Sequence, residues 1–90
     1  MVREVVRVTK GPVGETTIRY PGVSVTVYPR YRLDGRKVWH FSVGSLGRVA
    51  VVDSWRDELG ASPSFKKALD RAMAEMKRLE DLAIIKSGEV

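Results

Sequence analysis

Residues 23–43, VSVTVYPRYRLDGRKVWHFSV, form two runs of alternating apolar and polar residues on either side of Asp34-Gly35. Asp-Gly supplies the positive-φ positions of a type I′ turn, whose twist suits paired strands, so the segment reads as a two-residue β-hairpin. Counting outward from that turn pairs Arg32 with Lys37, Tyr31 with Val38, Arg30 with Trp39, Pro29 with His40, Tyr28 with Phe41 and Val27 with Ser42. Because strand side chains alternate between faces, the hairpin has two different surfaces. One carries Val23, Val25, Val27, Tyr31, Val38 and His40 and reads as core. The other carries Tyr28, Arg30, Arg32, Lys37, Trp39 and Phe41, a mixture of rings and cations. Pro29 complicates this register, because proline cannot donate a ladder hydrogen bond, and a bulge near it would re-aim Arg30 and Tyr31.

Working toward the N-terminus, Tyr20-Pro21-Gly22-Val23 has the sequence of a type II turn and Glu15 to Tyr20 that of a strand. Pro12-Val13-Gly14 fits a three-residue loop with Gly14 in the left-handed region, which sets Val8 opposite Ile18 and Val6 opposite Tyr20 on a first strand from Val2 to Thr9. Thr17 and Arg19 then join the face of rings and cations.

Toward the C-terminus, Gly44-Ser45-Leu46-Gly47 is a turn and Arg48 to Val52 a fifth strand, with Val49 and Val51 toward the core. Asp53 or Ser54 caps a short helical turn over residues 54–59, closed by Gly60. Ser62-Pro63 opens the main helix, Pro63 to Ala83, with an apolar stripe of Phe65, Leu69, Ala72, Met76, Leu79 and Ala83. The stripe covers the valine face of the sheet, the alternative being a coiled-coil seam. Residues 86–90 are expected to fray. The expected fold class is therefore α+β: one domain over residues 1–90, an antiparallel β-meander of about five strands with a long C-terminal helix on one face.

Composition narrows the function. With 90 residues, 43% hydrophobic and 30% charged, the chain is neither disordered nor membrane-spanning in type, since no apolar run approaches about 18 residues. Charges at Arg3, Glu4 and Arg7 interrupt any signal-like segment, so a cytoplasmic location is expected. Cys, Asn and Gln are all absent while Arg, Lys and Glu are plentiful. That bias fits a hyperthermophilic source, archaeal or viral, with chance in a short chain as the alternative. The net charge of +5 is unevenly spread: residues 1–50 hold nine Arg or Lys against three acids, and residues 51–90 seven against eight. A positive sheet beside a balanced helix calls for an anionic partner, nucleic acid above all.

The expected site is thus the open sheet face, with Arg7, Arg19, Tyr28, Arg30, Arg32, Lys37, Trp39 and Phe41 as nucleic-acid-binding residues and Arg3 beside them. Rings on a sheet stack unpaired bases while cations track phosphates, so a single strand is the expected partner. A duplex would use the cations without needing Trp39 and Phe41. The competing interpretation is that a second layer or a second subunit buries the rings, which makes the protein an assembly module or homodimer, with Val43, Ala50 and Val52 seeding a second core.

No catalysis, cofactor or metal is expected. His40 is the lone histidine and falls on the core face, Ser42, Ser45 and Ser54 have no neighbouring base in sequence, and neither Gly-rich segment has the lysine of a phosphate-binding loop. Asp53, Asp57 and Glu58 read as caps and first-turn acids rather than Mg²⁺ ligands. In layout alone, strands followed by a helix resemble the small sheet-based DNA readers at the front of phage integrases, and a basic aromatic sheet resembles the single-strand binders of hot-living archaea. No motif carries either likeness, and no family is assigned.

Overall fold

The computed structural model describes residues 4–45 and 50–85. Five strands, β1 (Arg7–Lys10), β2 (Thr16–Tyr20), β3 (Val23–Tyr31), β4 (Lys37–Gly44) and β5 (Ala50–Asp53), form one antiparallel sheet in the order β1-β2-β3-β4-β5. One helix, α1 (Phe65–Asp81), packs on β3 and β4, so the class is α+β. Arg3, part of the Gly44–Gly47 turn, the start of the fifth strand with Val49, and the tail from Lys86 lie outside the described residues.

The first hairpin is built as its sequence implies. Gly11 N–H donates to Glu15 O at 2.8 Å around Pro12-Val13-Gly14, Gly14 has φ +93°, and Val8 faces Ile18. The β3–β4 hairpin uses the same three-residue loop and not the expected two-residue one. Arg32 N–H donates to Arg36 O at 2.8 Å around Leu33-Asp34-Gly35, and Gly35 N–H returns to Arg32 O at 2.9 Å. Gly35 has φ +84°, whereas Asp34 is not among the positive-φ residues, which a type I′ turn would require. Instead, Asp34 Oδ1 accepts from Arg36 N–H at 2.9 Å.

One added loop residue slips the register by one. Tyr31 pairs with Lys37, Pro29 with Trp39, Tyr28 with His40, Val27 with Phe41 and Val25 with Val43. Every side chain of β4 is thereby on the opposite face from the one expected.

Pro29 supplies the physical reason. Trp39 exchanges both of its backbone hydrogen bonds with Ser62, at 2.8 Å each, on the side of β4 away from β3. The Pro29–Trp39 pair is therefore a non-hydrogen-bonded one that needs no N–H from the proline. Its imide nitrogen faces the β2 side, where the pairing has already ended with Thr16 opposite Val27. In the expected register Pro29 would have stood opposite His40 at a hydrogen-bonded position, lacking the donor that position needs.

The core gathers Tyr20, Val23, Val25, Val27, Phe41 and Val43 from the sheet with Ala68, Ala72, Met76, Leu79 and Ile85 from the helical segment. Phe41 and Val43 are thus core residues, not part of an open face. Trp39 lies edge-on to Phe65, the first residue of α1, at 5.4 Å between centroids. The helix starts there, so Tyr31, expected in the core, is exposed along with the rest of the hairpin tip. On β5 the core position opposite Val43 belongs to Val52, after a bulge at Val43/Gly44. Val51 is also half-buried against the core.

The helix begins two residues later than expected. Ser62, steered to extended backbone by the proline after it, bridges to Trp39, and the cap passes to Ser64, whose Oγ accepts from Lys67 N–H at 3.2 Å. Ala68 is buried in place of Ala83, which is exposed at φ +58° just past the helix end. Residues 54–58 form turns and not a short helix.

Candidate nucleic-acid interface

The face of the sheet away from α1 carries residues of one strand parity: Arg7 and Thr9, Thr17 and Arg19, Ser24, Thr26, Tyr28 and Arg30, then Val38, His40 and Ser42. Arg7 and Arg19 stand directly opposite each other. A like-charged cross-strand pair costs stability in isolation, and an anion laid across it removes that cost. The Nε of Arg19 is closed off from solvent with no acceptor among the described residues.

Tyr28, Asp53, His40 and Ser54 tie the chain after β5 onto this face. Tyr28 donates to Asp53 Oδ1 at 2.7 Å, and the same oxygen accepts from Trp55 and Arg56 N–H at 2.9 and 3.1 Å. Burial, together with the hydrogen bond to the Asp53 carboxylate and its negative charge, holds the Tyr28 phenol well above its ordinary range. Ser54 Oγ lies 2.7 Å from His40 Nδ1 and accepts from Phe41 N–H at 2.9 Å. Burial lowers the His40 pKa, with Arg30 and Arg71 acting in the same direction and Asp53 opposing them. A neutral imidazole unprotonated at Nδ1 accepts from the Ser54 hydroxyl, whose oxygen in turn accepts from the Phe41 N–H. Ser54 is 1% exposed and His40 4%, so this serine and histidine, 14 residues apart, form an almost fully buried anchor.

His40 is therefore buried as expected but on the opposite face, where its ring stacks on Tyr28 at 6.0 Å and meets Trp55 edge-on at 5.5 Å. The guanidinium of Arg30 lies 3.8 Å above the Trp55 ring, which stays 54% exposed. An open cleft of about 690 Å³ adjoins this group, lined by His40, Ser54, Trp55, Arg56, Glu58 and Ala61 among others. Arg56 grips Asp57 through Nε at 3.0 Å and Nη2 at 2.9 Å. The guanidinium pulls the Asp57 carboxyl down to about 2. Among the described residues no group of three or more His, Asp or Glu could hold a metal ion.

The eight expected site residues consequently separate. Arg7, Arg19, Tyr28 and Arg30 share the open face, although the Tyr28 hydroxyl is committed to Asp53. Arg32 sits at the hairpin loop. Phe41 is 2% exposed beneath the helix, with the Arg71 guanidinium 5.3 Å from its ring, so it stacks no base. Trp39 is half-buried on the same side, and Lys37 Nζ covers its ring at 4.7 Å. The platform of Tyr28, Trp39 and Phe41 does not exist, because the register slip turned two of its three rings inward. Trp55 is the tryptophan on the basic face. Its placement depends on residues 54–62 folding back along β4, a long-range contact that neither periodicity nor turn chemistry encodes.

All eight residues from Arg30 to Lys37 are exposed, and they carry Arg30, Arg32, Arg36 and Lys37 against the single acid Asp34. They form the free end of the β3–β4 ribbon. No helix among the described residues is long and apolar enough to cross a membrane. No family model matches the chain, and comparisons with curated proteins and with solved structures likewise find no match.

Proposed function

We propose that this protein binds nucleic acid without catalysis, and that its partner is duplex rather than single-stranded. The observation that carries the proposal is the projecting ribbon of Arg30 to Lys37, four cations to one acid; Arg7 and Arg19 lie on the same open face at the other end of β3, level with Ser24. From Arg30 to the tip the ribbon extends about 13 Å at the usual strand rise. The major groove of B-DNA is about 12 Å wide and about 8.5 Å deep and admits a two-stranded ribbon. In that pose the ribbon's cations meet phosphates on the groove walls, and the exposed Tyr31 and Leu33 lie at the tip. The argument for single strands rested on Trp39 and Phe41, and with Phe41 buried and Trp39 turned to the helix it lapses.

Fluorescence anisotropy with duplex and single-stranded oligonucleotides of equal length, over a series of salt concentrations, tests the proposal. The duplex should bind more tightly, with log K falling linearly against log salt. Tighter binding of the single strand would return the function to base stacking, with Trp55 as the ring.

A second interpretation has its own observation. The edge strand β1 is exposed throughout, and Val8, opposite Ile18, is 54% exposed on the helix side, because α1 covers only β3 and β4. An uncapped edge of this kind offers its unpaired backbone groups to another copy. A solution mass of two chains, lost on Val8→Lys, would establish assembly through β1.

A further inference from the structure

We propose that the cleft on the outer edge of β4, beside the hairpin tip, receives one phosphate group of the nucleic-acid backbone. This deepens the duplex-binding proposal and rests on it. The cleft has a volume of about 380 Å³, with Arg32, Arg36 and Lys37 on one side and Ala61, Ser62 and Pro63 on the other. No carboxylate lines it. Asp34, the one acid at the tip, already has Oδ1 engaged by Arg36 N–H within its own loop. None of the ion pairs among the described residues uses the three cations. Behind the opposite wall, Arg71 donates to Ser62 Oγ at 3.0 Å and to Gly60 O at 2.9 Å, adding a further positive charge.

The backbone supplies a directed donor. Odd-numbered residues of β4 turn their peptide groups to the outer edge: Trp39 bonds Ser62 there, and Phe41 bonds Ser54. Lys37 has the same parity, two residues earlier, so its N–H points along that edge. Its would-be partner strand has stopped, since Pro63 follows Ser62 and the chain turns into α1 at the cap Ser64. An outward amide among three cations is the donor set a phosphate oxygen takes: charge-assisted bonds from guanidinium and ammonium groups, plus one backbone N–H. Converging like charges also repel one another in the free protein, and a bound phosphate relieves that repulsion.

Backbone amide NMR tests the assignment, with a short duplex DNA and inorganic phosphate as separate probes, alongside salt titrations of Arg36→Gln. The Lys37 amide resonance should move with both probes, and Arg36→Gln should lower the log–log salt slope for the duplex by about 0.9, the value for one lost phosphate contact. If duplex binds while the Lys37 amide stays still and the Arg36→Gln slope is unchanged, the cleft is not the receptor, although nucleic-acid binding stands. If inorganic phosphate moves Lys37 but no duplex binds, the cleft takes a free phosphate compound, and both the backbone source and the duplex proposal are wrong. If neither probe moves Lys37 and no duplex binds, both fall.

Discussion

Truncating Phe41 tests the register on which the placement of every β4 side chain depends. Its ring is 2% exposed, opposite Val27 on β3 and beneath the Arg71 guanidinium of α1. Phe41→Ala removes a fully buried aromatic from a packed site, a change that costs about 3–5 kcal/mol in protein cores. Total stability for a domain is about 5–15 kcal/mol, so the variant forfeits a large share of it. At about 4–8 °C per kcal/mol for a domain of this size, the melting temperature should fall by at least about 12 °C. Val38→Ala is the control, because the two-residue turn would place Val38 in the core and Phe41 outside, and the observed pairing does the reverse. Thermal unfolding of both variants by circular dichroism gives the order directly. Phe41→Ala should be much the less stable of the two. Equal melting temperatures, or a larger loss in Val38→Ala, would refute the observed pairing.

Four further outcomes follow from the same geometry. Gly35→Ala should destabilise by about 1–2 kcal/mol in chemical denaturation, through its positive φ alone since nothing lies within 4 Å of the added Cβ, and Gly35→Asn should recover most of the loss. Ser54→Ala leaves the Phe41 N–H and His40 Nδ1 without their shared partner and should cost about 1–3 kcal/mol, read from the denaturant midpoint. Because folding lowers the His40 pKa, the unfolded chain binds the proton first, so stability should fall as pH drops below about 6.5 toward the folded pKa; a stability unchanged across that window would contradict the burial of His40. Folding raises the Tyr28 pKa, so above about pH 10 the unfolded state loses its proton first and stability should decline; ultraviolet titration should show Tyr28 ionising above the ordinary phenol range, and Asp53→Ala should bring it back down.

Much of the architecture was legible because it depends on local signals. The strand order, the Pro12-Val13-Gly14 loop and the helix all follow from turn residues and apolar spacing. Asp34-Gly35 misled because the dipeptide suits a two-residue type I′ turn as well as a three-residue loop with glycine left-handed, and the two differ by one residue of register. The deciding information lay in Pro29, five residues before Asp34, which tolerates only the pairing that asks for no N–H. Arg7, Arg19 and Arg30 were placed correctly, since their faces follow from the first hairpin and the β2–β3 turn. Lys37, Trp39 and Phe41 were not, since theirs follow from the slipped loop. Trp55, Ser54 and the outer-edge cleft depend on residues 54–62 folding along β4, which becomes predictable only once the sheet exists.

If the hairpin is the binding element, charge removed from its tip must matter more than equal charge removed elsewhere. Arg32→Gln with Arg36→Gln and, separately, Lys77→Gln with Arg78→Gln each remove two positive charges, the first pair at the tip and the second on the exposed face of α1. Duplex affinity measured against salt should weaken in the tip variant, with its log–log slope lower by about 1.8 for two lost phosphate contacts, and should stay at the wild-type slope in the helix variant. Equal losses in the two variants would mean that net charge, and not the hairpin, attracts the nucleic acid.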